Sequence, residues 1–240
     1  AFQPSPILGA GASREGAMAL MKDLAKVIIG EDPLRIHHIL GKLERCMSGQ
    51  WAENWHILAH FDHALYDLKG KILGLPVYEL LGGIRREEIP LEYILSFLAT
   101  PEECAEEAVR VIEAGYKAIK LHVNADPENA KARVKAVREA IGPDIPLSID
   151  MGMAYKPADA ANLLRELKED YNINFAEQPL WPYDIQGQQL LRQKTSVPLT
   201  ADHSAMSLSQ AYECMRLNLF DNYHCLITRI GGINRAVKYC

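Results

Sequence analysis

Three short runs decide the reading: PLSID at residues 146–150, FAEQPL at 175–180 and PLTAD at 198–202. Each is an apolar run of strand length that carries one acid at or near its end, and each leads into a stretch of helical periodicity. The same form recurs on both sides, as LEYILSF (91–97), AIKLHV (118–123) and YHCLIT (223–228). Counted from Leu91, Ala118, Pro146, Phe175, Pro198 and Tyr223, the spacings are 27, 28, 29, 23 and 25 residues, close to one strand-helix unit each. The helices between have marked ends. Thr100-Pro101-Glu102-Glu103 reads as a capping box with proline at the first position, and Gly115 stops that helix. Asp126-Pro127 opens the next and Gly142 closes it. Six consecutive units predict an α/β protein and fit a parallel barrel better than an antiparallel sandwich, although a doubly wound open sheet shows the same alternation.

Before the alternation the pattern is helical. Residues 1–12 read as loop, broken by Pro4, Pro6, Gly9 and Gly11. Ser13 is placed to cap a helix with Ala17, Leu20, Met21, Leu24 and Ile28 on one face, ended by Gly30. Asp32-Pro33 predicts a second helical start, and Trp55 to Leu73 a third helix carrying Leu58, Phe61, Leu65 and Leu68. The division expected is a helical part over residues 1–85 and six strand-helix units over 86–240. The chain stops inside the helix after the sixth strand, at 232–240. A complete barrel has about eight units, so the chain is expected to be part of a longer protein.

Bulk properties exclude several functions. With 48% hydrophobic and 24% charged residues the chain is globular in composition. A formal net charge of −5, with Lys and Arg scattered among acids, provides no basic field for nucleic acid. Cys46, Cys104, Cys214, Cys225 and Cys240 are odd in number, far apart and never in a C-x-x-C pair, which argues against a disulfide framework or a zinc site. No run approaches the roughly 18 apolar residues of a membrane span, and AFQPSPILGAGAS lacks a signal pattern. A cytoplasmic protein is expected, with neither membrane nor nucleic acid as partner.

Asp150, Glu177 and Asp202 fall at or near the carboxyl ends of three consecutive strands, which in a parallel barrel is the active-site face. Three carboxylates there repel one another unless a positive charge sits between them. A hard dication meets that need: magnesium takes oxygen ligands in an octahedron and keeps positions for water or substrate. Taken singly, each acid could instead cap the following helix. Glu177 fits that account poorly, because Glu is a poor cap and Gln178-Pro179 follow it. One strand earlier, Lys120 and His122 are two apart and share a face, opposite Ile119, Leu121 and Val123. A buried Lys needs a partner. Imidazole has a reference pKa of about 6.5, which a neighbouring ammonium lowers further, leaving His122 neutral and able to act as a base. The plainer alternatives are a satisfied core histidine for His122 and a salt bridge from Lys120 to Asp150.

These residues resemble the mandelate racemase and muconate lactonizing enzyme branches of the enolase superfamily. The most specific stretch is ALYDLKGKILGLPVYELLGG, from Ala64 to Gly83, supported by GEDP at 30–33 and IGGI at 230–233. The resemblance implies a partial TIM-type (β/α) barrel, of the (β/α)7β kind, preceded by the helical part of an N-terminal α+β capping domain. It implies magnesium, with manganese as the alternative, on Asp150, Glu177 and Asp202, and a small-molecule carboxylate substrate. Such barrels commonly associate, so a homo-oligomer is expected. The family's second strand usually carries Lys-x-Lys, whose second Lys removes a proton alpha to a carboxylate; Lys120-Leu121-His122 implies His122 as base and Lys120 as the group that steers the carboxylate. Where the sixth strand usually offers Lys or Asp, five residues before the paired glycines, this chain has Leu226. His224 is the candidate for an opposite-face group, and His203, next to Asp202, is expected to point away and support it from behind. With one base apparent, the resemblance favours dehydration of a hydroxy or sugar acid, ahead of a racemase, epimerase or cycloisomerase, or an inactive relative.

Overall fold

The computed structural model describes residues 14–47, 55–95 and 99–240. The N-terminal helices are α1 (Arg14–Ile28), α2 (Ile36–Met47), α3 (Trp55–Leu73) and the single turn α4 (Val77–Leu80). Ala17 and Leu24 are the buried positions of α1, and Gly30, at φ +87°, lies beyond its end; the Ser13 cap and the loop over 1–12 lie outside the described residues. α2 begins later than Asp32-Pro33 suggests. The Asp32 side chain accepts from Leu34 N and its carbonyl from Arg35 N, so these residues close a turn ahead of the helix. α3 has the bounds read from the sequence. Leu58 and Leu65 are buried in it, whereas Leu68 is exposed.

The alternation follows as β1 (Glu92–Leu95), α5 (Pro101–Glu113), β2 (Ala118–His122), α6 (Pro127–Ile141), β3 (Leu147–Asp150), α7 (Pro157–Tyr171), β4 (Ala176–Glu177), α8 (Ile185–Lys194), β5 (Leu199–Ala201), α9 (Leu208–Arg216) and β6 (Asn222–Tyr223). Ser96 and Phe97 of the first expected strand lie outside the described residues. Thr100 forms the capping box on α5, Asp126 accepts from Glu128 N and Asn129 N to cap α6, and Gly142, at φ +76°, ends α6. Every neighbouring pair of strands is parallel, and the spatial order is β1-β2-β3-β4-β5-β6. That order settles the choice left open by alternation. A doubly wound sheet reverses its strand order at a switch point, whereas a barrel adds each strand beside the last in one direction. Ile119, Leu121, Leu147 and Ile149 are fully buried, and alternate with Lys120, His122, Ser148 and Asp150 on the inner face.

The strands near the site are shorter than their apolar runs. β4 ends at Glu177 because Gln178 takes φ +38°, a conformation disfavoured for a residue with a side chain. YHCLIT does not continue as strand: β6 stops at Tyr223, and α10 (Ile227–Ile230) and α11 (Ile233–Tyr239) follow.

By contacts the chain separates into residues 1–87 with 225–240, and residues 88–224. The closing segment, expected to supply the helix of the sixth unit, groups with the N-terminal helices. The reason is visible at α3: Asp62, with 0% exposure, accepts from Ile233 N at 2.5 Å and Asn234 N at 3.2 Å, capping α11 from another helix. Arg235 stacks over the Trp55 ring at 3.8 Å and pairs with Glu44. The core of this unit is built from Leu24, Ile39, Leu43, Ile57, Leu58 and Leu65. No helix among the described residues is long and apolar enough to cross a membrane.

Candidate active site

Strand register places the candidate residues. His122 pairs with Asp150, Asp150 with Glu177, and Glu177 with Thr200, so base candidate and first two acids occupy one layer across β2, β3 and β4. Asp202 and His224 follow directly after β5 and β6, with His224 N donating to Ala201 O at 2.8 Å. None of the three acids caps an α-helix. The residues at those caps are Lys156 for α7, Asp184 for α8 and Ser207 for α9. Asp202 precedes a short 3-10 turn without a side-chain cap bond, and Asp150 accepts from Gly152 N.

Lys120, 5% exposed, donates to Glu177 Oε2 at 2.6 Å, rather than pairing with Asp150. His224 Nδ1 lies 3.0 Å from Glu177 Oε1 and 3.9 Å from Asp202 Oδ1. Among the described residues, Glu177, Asp202 and His224 form the group whose ligand atoms lie within 4.8 Å of one another. Asp150 is not in that group; it stands beside it as the cross-strand neighbour of Glu177, with His122 Nδ1 at 3.4 Å from its Oδ2. The structure thus draws together Lys120, Glu177, Asp202 and His224, and sets His122 with Asp150 one strand away.

Electrostatics match this layout. Burial pushes the Asp150 carboxyl up, and the Glu177 charge adds to the rise. Burial pushes Glu177 the same way, yet hydrogen bonds from His224 and Lys120 outweigh it and hold the carboxyl below its ordinary value. Lys120 is raised: burial opposes its charge, and the bond to Glu177 prevails. His224 is also raised, chiefly by its bond to Glu177. Buried acids in excess of the one ammonium, with polar side chains aimed inward from neighbouring strands, suit a divalent cation with oxygen ligands.

Glu92, Lys120, Glu177, Thr200 and His224 line a cavity of about 520 Å³. Glu92, not singled out by the sequence reading, is pushed up by burial and feels Lys120. Its signal was faint, a single acid in phase with the inner face of β1. Gln178 was also passed over. Buried to 1% exposure, it accepts at Oε1 from Asp202 N and Ser204 N, each at 3.0 Å, and donates from Nε2 to Leu180 O and Ser204 Oγ. It therefore ties the end of β4 to the end of β5 and orients Asp202. His203 Nδ1 lies 2.7 Å from Asp202 Oδ2, while its ring borders a separate cavity with Tyr183, Glu213 and Cys214. Arg133, 1% exposed on α6, donates to the His122 carbonyl at 2.7 Å.

Residues 6–82 match the family described as mandelate racemase / muconate lactonizing enzyme, N-terminal domain, and residues 103–240 match the enolase C-terminal domain-like family. The chain is 33% identical over 231 residues to an N-succinyl-L-Arg/Lys racemase of Bacillus cereus, covering 95% of this chain and 61% of that protein. It is 31% identical over 232 residues to an L-talarate/galactarate dehydratase of Salmonella typhimurium, covering 95% of this chain and 58% of that protein. A crystal structure of a dipeptide epimerase from Enterococcus faecalis, complexed with Mg and the dipeptide L-Leu-L-Tyr, superposes with a TM-score of 0.88 at 30% identity. That match covers 98% of this chain and 64% of that one. The chain thus spans about three fifths of the length of these relatives.

Proposed function

The chain belongs to the mandelate racemase / muconate lactonizing enzyme family of the enolase superfamily, and on that premise we propose that it forms part of an enzyme that removes the proton alpha to a carboxylate. The proposed roles are His122 as base, Lys120 as the cation that holds the substrate carboxylate, and Asp150, Glu177 and Asp202 as ligands of magnesium, with manganese as the alternative. When bound, the dication supplies Lewis-acid stabilisation of developing negative charge, worth several kcal/mol. The chain's own residues do the rest. Lys120 is fixed by Glu177 at 2.6 Å, which holds its charge beside the acids where enediolate charge would develop. His122 stands on the same face two residues on, its main chain held by Arg133 and its ring beside Asp150. Gln178 fixes the Asp202 backbone, so the acids do not have to reorganise as charge builds.

The observation that carries this reading is the shared layer His122–Asp150–Glu177 beside the Lys120–Glu177 pair. Within it, dehydration of a hydroxylated carboxylate, such as a sugar acid, is the finer proposal, because Leu226 stands where relatives offer a second base and loss of water proceeds with one. Racemisation or epimerisation is the second reading, favoured by the 33% identity to a racemase. Solvent-deuterium exchange at the alpha carbon of a panel of hydroxy acids and N-acylated or dipeptide acids tests both. Loss of water supports the first, exchange with inversion the second. Exchange unaffected by His122→Ala refutes the assigned base, and no exchange on any acid refutes the enzyme reading.

A further inference from the structure

The group formed by Glu177, Asp202 and His224 divides its atoms by task. Glu177 Oε2 is taken by Lys120 at 2.6 Å, and Oε1 is joined to His224 Nδ1 by a 3.0 Å hydrogen bond whose place a bound cation would take. Asp202 Oδ1 faces the same nitrogen at 3.9 Å. Glu177 is thus anchored through one oxygen by a cationic neighbour, and Asp202 through its backbone N by Gln178, the kind of support that orients metal ligands. Glu177 Oε1, Asp202 Oδ1 and one imidazole nitrogen converge. Ligands bound at 2.0–2.1 Å in neighbouring positions of an octahedron stand about 3 Å apart, and the 3.0 and 3.9 Å spacings approach that edge. The His224 main chain is fixed by its bond to Ala201 O.

We propose that His224 Nδ1 is a nitrogen ligand to the divalent cation held by Glu177 and Asp202, which makes the site mixed in nitrogen and oxygen and favours a first-row transition ion such as Mn2+ over Mg2+. This rests on the metal reading above and sharpens it. Carboxylate and water suit magnesium, whereas imidazole suits transition ions, whose affinities exceed that of magnesium at nitrogen-bearing sites. It also gives His224 a task other than that of an opposite-face base.

The test is Mn2+ binding to the protein, followed by continuous-wave EPR for affinity and pulsed EPR for 14N coupling, in the natural chain, His224→Gln and His224→Asp. Expected are nitrogen modulation in the natural chain and none in either variant. Mn2+ affinity falls about ten- to hundredfold in His224→Gln, while Mg2+ affinity, read by competition, falls by less than about threefold in His224→Gln and does not fall in His224→Asp, which offers an oxygen ligand. Bound Mn2+ without nitrogen coupling in the natural chain overturns the inference and leaves the metal reading standing. Coupling that persists in His224→Gln assigns the nitrogen to another histidine and overturns it as well. If the natural chain binds no Mn2+, the metal reading itself fails. The natural-chain spectrum decides even where a variant does not fold.

Discussion

Replacing Asp62 by alanine isolates the link between α3 and α11. Its carboxylate accepts from Ile233 N at 2.5 Å and Asn234 N at 3.2 Å with no solvent exposure. Hydrogen bonds to a charged group are worth about 1.5–3 kcal/mol each, and the orphaned amides add a desolvation cost. Part of this is offset because burial raises the Asp62 pKa, which means the charge is itself held at a cost. We expect a net loss of about 2–4 kcal/mol for Asp62→Ala. Gly232 provides the complement. It sits at φ +105°, and a Cβ there would lie 2.5 Å from Asp62 Cβ and Cγ, so Gly232→Ala adds a clash to about 1–3 kcal/mol of backbone strain. In the double variant the contacts with Asp62 Cγ and Oδ2 are removed while the one with Cβ and the strain stay, and the amide bonds can be lost only once, so the combined loss is smaller than the two single losses together. Urea unfolding followed by circular dichroism at neutral pH measures all three. Asp62→Ala within about 0.5 kcal/mol of the natural chain, or strictly additive losses, refutes the reasoning. The same carboxyl also sets a pH dependence. With its folded pKa raised above the unfolded value, the folded state binds the proton more tightly. The proton-linked part of its contribution to stability is therefore fullest below the unfolded pKa and declines as pH rises through the folded one, while the bonds to α11 remain. Asp62→Asn removes that slope, so an unchanged slope counts against the assignment.

Gln178→Ala removes the acceptor for Asp202 N and Ser204 N and is expected to lower alpha-proton exchange about 10–100-fold, the scale of lost support behind a metal ligand, with far-UV dichroism unchanged. Arg138→Ala severs bonds to the carbonyls of Tyr171, Gly142 and Ile145, each within 2.9 Å. A loss of about 2–3 kcal/mol in urea unfolding is expected, since these carbonyls are left without their donor, while exchange activity at temperatures below unfolding is kept.

Much of this protein was legible in one dimension because the signals are local. Apolar runs at unit spacing, caps such as Thr100 and Asp126, and the glycine at 142 depend on a few neighbouring residues, and strand alternation put Lys120 and His122 on one face. Where local signals competed, the reading erred. The run at 223–228 is apolar enough for a strand, yet Ile227 starts a helix. Asp32 is a good cap, yet it closes a turn three residues short of the expected role.

What tertiary structure decided was who meets whom. Sequential strand order distinguished barrel winding from a doubly wound sheet; both have the same alternation along the chain. Lys120 on β2 reaches past β3 to Glu177 on β4, rather than pairing with Asp150 on the adjacent strand. His224 reached Glu177 from 47 residues away, and Asp62 reached α11 from 171 residues away. Periodicity assigns a side chain to a face, but a distance between faces is a property of strand register and packing, which no run of neighbouring residues encodes.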